Sequence, residues 1–442
     1  DFVKSNSKTK VYLSLNGRSR LFHNLNLSLN TKIVRNRISI PPFGVYIDTL
    51  EDNSGLQNLS FEIKGNNKGA FDWYSVNYIQ IKYPKSFGAA LTSRPYELPL
   101  KDSLCIFKNP GQNASVYDIS DPNNIRKVLI KDNSEYQYFK SNQDATIYIS
   151  DAVQKPKIAG LVSFKKRSFK PEYLIISHKS LKESAEAWAS YRSSKAGGEY
   201  KCGVVYIEDL YDQYFFGEKN PLVIRNAVED ILDGTSDRKN LLIIGKAVTF
   251  PDVLKSNQEL VPSFGYPGSD ALLTAGLFGE DADVEGVPTG RLNVSKNSEV
   301  LSYLKKVREF EESPSAEWKK RVLHMSGGEN TFEMTLLKNL LVDFEKGVKT
   351  GPFSGEIEVL SKKQSGEIEE VDISAPINKG VGLVTFVGHG SPTIIDLNIG
   401  YSSDLKRNYS NKSKYPFMFF NGCGVGNIFY RYNTLSTDWL IT

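Results

Sequence analysis

The sequence predicts two folded parts of different class. The first, over residues 1–170, is an all-β, sandwich-like domain. The second, over 171–442, is an α/β domain whose parallel sheet carries helices on both faces. Three observations predict this. The chain has 442 residues, more than one ordinary core of ~100–200 residues encloses. Short alternating stretches cut by Gly, Asn, Asp and Pro fill its first part. Beyond them, short continuous apolar runs alternate with stretches of helical period, the pattern of parallel strands buried on both sides.

In the first part, Lys32 to Ser39, Ser60 to Ile63, Tyr78 to Tyr83 and Ala145 to Ile149 read as strands. Tyr78-Ile79-Gln80-Ile81-Lys82-Tyr83 alternates with period two, as a half-buried strand does. The spacing of turn residues predicts a sandwich, and 23 Tyr and 24 Phe suit aromatic-rich β-structure. In the second part, Tyr173 to Ile176 is a strand. Ser180 to Lys195 is a helix, because Leu181, Ala185, Trp188 and Tyr191 share one face. The strand Val204 to Ile207 precedes a helix from Pro221 to Leu232, with Pro221 suited to a first turn. The strand Leu241 to Ile244, the helix Glu299 to Glu312, the strand Arg321 to Met325 and the helix Thr331 to Glu345 follow. Gly382 to Val387 and Phe417 to Phe420 are the last strands.

Composition excludes several functions. Hydrophobic residues make up 40% and charged ones 24%, a globular balance. The 55 Lys+Arg against 51 Asp+Glu give a net charge of +4, too small for a nucleic-acid or anionic-membrane footprint at this length. Cys105, Cys202 and Cys423 allow at most one disulfide and form no C-x-x-C pair, so a disulfide scaffold and a Cys-type zinc site are excluded. No apolar run approaches the ~20 residues of a membrane helix. The chain starts at Asp1 and not at Met, so it reads as a protein whose leader has been removed or as part of a longer one.

Ligands of parallel sheets bind at the carboxyl ends of strands, and two loops there stand out. Leu383 to Val387 runs into Gly388-His389-Gly390-Ser391, and Phe417 to Phe420 runs into Asn421-Gly422-Cys423-Gly424-Val425-Gly426-Asn427. Each puts a reactive side chain between glycines, which let the backbone approach a ligand closely. The 34 positions from His389 to Cys423 suffice for one crossover between neighbouring parallel strands. A thiol beside an imidazole is an arrangement for nucleophilic attack, the imidazole supplying the leaving-group proton. The amides of Gly390 and Cys423 are candidates for an oxyanion hole. A different reading of the second loop is nucleotide binding, although Asn427 stands where G-x-G-x-x-G would have its third glycine. Asp281, Asp283 and Glu285 alternate ahead of Gly286, as in the start of a calcium loop. Leu292 at the closing position excludes an EF-hand, which leaves a looser structural calcium site as an expectation.

The Gly-His-Gly-Ser and Asn-Gly-Cys-Gly stretches resemble the gingipain-type cysteine peptidase family. Glu208 to Tyr214 with Gly217, Pro221 to Asn226, Val261-Pro262, Ser269-Asp270, Val287 to Leu292, Trp318 to Met325 and Leu435 to Leu440 add to the likeness over about 171–442. The amino-terminal part, with Tyr78 to Pro84, resembles the β-domain of the PorU-type sortases of type IX secretion in Bacteroidota. The resemblance implies a caspase-like fold, a Cys423–His389 dyad, an oxyanion hole near Gly390 and Cys423, and a His-orienting acid, for which Glu259 is the candidate. It places Asp270 as the carboxylate that receives an arginine side chain of the substrate. It implies calcium, but no required cofactor. It also implies a cell-surface or outer-membrane location, protein or peptide substrates, and an outer-membrane barrel of the PorV kind as partner. The chain ends 19 residues after Cys423, where relatives continue. Two functions from different classes follow: a cysteine peptidase or sortase-like transpeptidase, and a non-catalytic component of a surface secretion assembly.

Overall fold

Alternation of side chains builds the first of two compact units, Asp1–Leu161 and Val162–Thr442. The computed structural model describes residues 8–52, 60–66, 72–83, 94–98, 103–107, 115–132, 137–141, 144–150, 170–233, 239–249, 252–350, 354–366 and 368–442. The expected boundary near residue 170 adjoins 151–169, which lie outside them.

In the first unit two three-stranded antiparallel sheets face each other. One has the order Val45–Asp52, Thr9–Gly17, Tyr74–Lys82, the other Lys32–Ile40, His23–Leu29, Phe61–Gly65. Val11, Leu13 and Leu15 of the first and Leu25 and Leu27 of the second are fully buried in one shared core. Fully burying such side chains contributes ~1.5–3 kcal/mol each. This is the expected sandwich. Tyr74–Lys82, whose alternation is the cleanest in the sequence, leaves Tyr78, Ile79 and Ile81 40–43% exposed, because it is an edge strand. A further antiparallel sheet joins Arg126–Lys127, Ser115–Asp118, Ala145–Ser150 and Arg94–Leu98.

Among the described residues the second unit has two parallel sheets of four strands, and not one sheet, together with a short parallel pair, Glu369–Glu370 and Leu397–Asn398. β1 (Tyr173–Ser177), β2 (Cys202–Tyr206), β3 (Asn240–Ile244) and β4 (Thr289–Leu292) pair in the order β2-β1-β3-β4. α1 (Lys182–Ser193), α2 (Ile207–Phe215), α3 (Leu222–Leu232) and α4 (Asn297–Glu311) cover this sheet. Leu174, Ile176, Leu241 and Ile243 pack against α2 and α3. The alternate residues Ile175, Leu242 and Ile244 pack against α1 and α4. Burial on both faces is why these strands read as continuous apolar runs.

β5 (Arg321–Ser326), β6 (Glu356–Ser361), β7 (Leu383–Val387) and β8 (Phe417–Asn421) form the second sheet, in the order β6-β5-β7-β8. α5 (Thr331–Thr350) connects β5 to β6, α6 (Ser374–Lys379) lies between β6 and β7, and α7 (Leu435–Ile441) ends the chain. From β5 the chain goes first to one side and then to the other, so the strand order reverses between β5 and β7. In open α/β sheets the crevice at such a reversal is where ligands bind.

Candidate active site

The two glycine-flanked loops leave adjacent strands. β7 and β8 pair in parallel from Leu383↔Phe417 to Val387↔Asn421, so His389 and Cys423 both stand two residues past the last pair. The loops touch. A Cβ on Gly390 would lie 3.4 Å from the Cys423 carbonyl oxygen and 2.5 Å from Val425, so only glycine fits there. Cys423 and His389 are both exposed.

His389 Nε2 lies 3.0 Å from each oxygen of Glu333. Glu333 stands in the first turn of α5 and is itself fixed. Its Oε2 accepts the Glu329 N–H at 2.7 Å, and its own N–H donates to Asn330 Oδ1 at 3.0 Å. The acid on the imidazole is therefore Glu333 and not Glu259. Glu259 follows β3 of the other sheet, where burial raises its carboxyl pKa against the opposing influence of Arg291 and Lys219. Asn-x-x-Glu at a helix start reads in sequence as ordinary capping, which is why Glu333 was missed. The signal that could have found it is Gly327-Gly328-Glu329 at a strand end, the kind of loop that drew attention to His389 and Cys423. With Nε2 held by the carboxylate, Nδ1 has no partner among the described residues.

Around Gly390 the ladder bonds are Ser391 N–H to Ile394 O, 2.8 Å, and Asp396 N–H to His389 O, 3.0 Å. Both flank the Gly390–Ile395 pair. The amides of Gly390 and Cys423 find no acceptor among the described residues. The Gly422–Asn427 stretch is a run of turns, and the next helix starts only at Leu435. It thus lacks the helix N-terminus that a dinucleotide turn uses to hold phosphate.

Residues 166–442 match peptidase family C25. The chain belongs to this family of cysteine peptidases, the gingipain family. Among solved structures, dimeric latent PorU from Porphyromonas gingivalis is similar at TM-score 0.51 and 15% identity, over 72% of this chain and 34% of that one. The Arg-specific cysteine proteinase gingipain R gives 0.46 and 15%, over 61% and 58%. The complex of Porphyromonas gingivalis RgpB pro- and mature domains gives 0.45 and 16%, over 61% and 60%. The C25 chain thus spans about a third of the PorU chain and under two thirds of the gingipain chains. No curated protein matches it. The fold is caspase-like, as the resemblance implied.

Asp270 is not a free carboxylate in this C25 chain. Its oxygens accept from Arg291 Nε at 2.6 Å and Nη2 at 2.9 Å, and Oδ1 also accepts from Ser263. The same guanidinium donates to the carbonyls of Gly245, Val261 and Pro262 at 2.8–3.0 Å, so all five N–H groups are used. The Arg291 side chain is 2% exposed and that of Asp270 15%. An internal arginine fills the role that was assigned to a substrate. Arg291 also lies against the Phe429 ring at 5.7 Å, in the segment that follows Cys423. That segment is tied to the first sheet by three further bonds. Thr249 N–H donates to Phe429 O and Lys246 Nζ to Arg431 O, both at 3.1 Å, and Asn293 Nδ2 donates to Ile428 O.

Asp281, Asp283 and Glu285 lie in an exposed turn and do not converge. Among the described residues only Glu329, Glu333 and His389 bring three such ligand atoms within 4.8 Å of one another. No helix among the described residues is long and apolar enough to cross a membrane.

Two outcomes follow for the C25 site. Cys423 is exposed, whereas Cys202 is half-buried with its thiol pKa raised by burial. Iodoacetamide should therefore alkylate Cys423 well before Cys202, which peptide mapping over time reads out. The hydrogen bond that His389 donates to Glu333 raises the imidazole pKa above its ordinary 6.5, and that of Glu333 is lowered below 4.5, chiefly by the Glu329 N–H and then by His389. The imidazolium contribution to stability is full below the unfolded pKa and is lost as pH rises through the folded one. The carboxylate contribution is full above the unfolded pKa and is lost as pH falls through the folded one. A small Tm deficit of Glu333→Gln should thus appear in mildly acidic solution and fade above the His389 pKa. A deficit that is constant from pH 5 to 9 would contradict the pairing.

Proposed function

We propose that this chain is a cysteine endopeptidase or sortase-like transpeptidase that acts on secreted proteins through Cys423 and His389. The observation that carries the reading is the placement of a thiol and a Glu333-held imidazole at matching positions beyond two adjacent parallel strands. Cys423 gives its proton to His389 Nδ1 and attacks a peptide carbonyl. The Gly390 and Cys423 amides receive the oxyanion. His389 then protonates the leaving amine, and an acyl-enzyme remains on Cys423. Water resolves it in hydrolysis and a second amine in transpeptidation. The expected setting is the cell surface or outer membrane of a type IX secretion system, with a barrel of the PorV kind as partner.

The test is mass spectrometry of the chain after incubation with an unfolded protein and an added primary amine. The expected result is a thioester on Cys423 and new peptide termini, either free or joined to the amine. Absence of a Cys423 adduct and of new termini favours the second reading, a non-catalytic component of the same assembly.

A further inference from the structure

Resting on the dyad reading above, we propose that Asp396 is a positioning residue for the His389–Glu333 pair. Its carboxylate is wedged at the reversal point of the second sheet, between the ends of the strands whose loops carry the two partners.

Asp396 is 7% exposed and is outside the sequence signals that pointed to the site. A Cβ on Gly327, just after β5, would lie 2.0 Å from its Oδ1, and one on Gly388, just after β7, 2.7 Å. The two glycines leave the space that the carboxylate occupies. Oδ2 accepts the Gly328 N–H at 2.6 Å. The carbonyl of the same Gly328 accepts from Lys362 Nζ at 2.9 Å, and Lys362 is itself 6% exposed. Gly328 is therefore gripped from both sides by buried charges of opposite sign, one residue before Glu329. At φ +132° it holds a conformation that favours glycine. Glu329 in turn donates its N–H to Glu333. The Asp396 backbone reaches the other partner, its N–H donating to the His389 carbonyl at 3.0 Å.

A buried carboxylate without an ion pair is costly, and Oδ1 has no hydrogen-bond partner among the described residues. Such a group calls for an explanation beyond packing. Here it fixes the loop in front of Glu333 and the backbone of His389 from one point. Its charge acts on the imidazole as well. The groups that raise the His389 pKa are Glu333 first, then Asp396 and Glu329, while Lys362 acts on Glu333. Misplacing reacting groups by about 1 Å costs on the order of 100-fold in rate.

The experiment compares Asp396→Asn and Asp396→Ala with the wild type. It reads NMR titration of the four histidines, with His389 assigned by loss of its signal in His389→Gln, and kcat and KM across pH. Asn keeps an acceptor for Gly328 but removes the charge. It should lower the His389 pKa and move the alkaline limb of kcat/KM down, with a smaller loss in kcat at the optimum than Asp396→Ala. Ala removes both, and kcat should fall roughly 10- to 100-fold with KM nearly constant. An unshifted His389 titration in Asp396→Asn overturns the proposal, as does wild-type kcat in a folded Asp396→Ala. If Ala does not fold, the Asn titration decides alone. If the wild type neither cleaves peptides nor forms an adduct at Cys423, the peptidase reading fails, and the titration still judges Asp396.

Discussion

The Cys423→Ala variant should lose roughly four to six orders of magnitude in kcat, the scale seen when a nucleophile is removed from a catalytic unit. KM should stay close to that of the wild type, because the thiol makes its bond only after substrate binds. His389→Ala should be nearly as damaging, and the double variant should be no worse than the single ones, because the two side chains act as one unit. Glu333→Gln should differ in kind. It leaves the thiol and imidazole in place, so the loss is on the order of 10- to 100-fold, the size of a general acid–base contribution at its lower end. It should also bring the alkaline limb of the pH profile down, since Glu333 is the chief group that raises the His389 pKa. Stopped-assay rates against pH for the four variants check this. Residual cleavage above a thousandth of wild type in Cys423→Ala would place the nucleophile elsewhere.

Asp270→Ala should unfold the second unit easily while leaving substrate preference alone. The substitution strands a guanidinium whose side chain is 2% exposed. Breaking a buried pair by removing one partner costs about 3–5 kcal/mol. For a unit of this size the Tm should drop by roughly 10 °C. Asp270→Asn keeps one acceptor for Arg291 and should fall between. Because the carboxylate is consumed inside the fold, kcat/KM for substrates with Arg or Leu before the scissile bond should keep its wild-type ratio. A changed ratio at unchanged Tm would restore Asp270 to the substrate pocket.

Both results depend on what a sequence carries and what it omits. His389 and Cys423 were legible because each follows a buried apolar run and lies between glycines, a pattern written in consecutive residues. The strands Leu241 to Ile244 and Leu383 to Val387 were legible for the same reason. Glu333 was not, because its partner lies 56 positions away and its local context is that of an ordinary helix cap. Asp270 was misread because Arg291, 21 positions on, decides whether its carboxylate is free. β6 was missed because its burial is weak, with Glu356, Glu358 and Val359 exposed. β4, Thr289–Leu292, has a single apolar side chain in four residues. The division into two sheets depends on which strands pair, and that is settled by contacts between distant segments.

The anchoring of the Cys423 segment bears on how small a working enzyme of this fold can be. The imidazole depends on the second sheet alone, through Glu333 on α5 and the ladder beside Asp396. Cys423 follows β8 of that sheet, and the segment after it is also held to the first, at Lys246, Thr249, Arg291 and Asn293. The placement of Cys423 relative to His389 thus draws on both halves. A fragment beginning at β5 would keep His389, Glu333 and Cys423 and lose the hydrogen bonds that hold residues 428–431 to the first sheet.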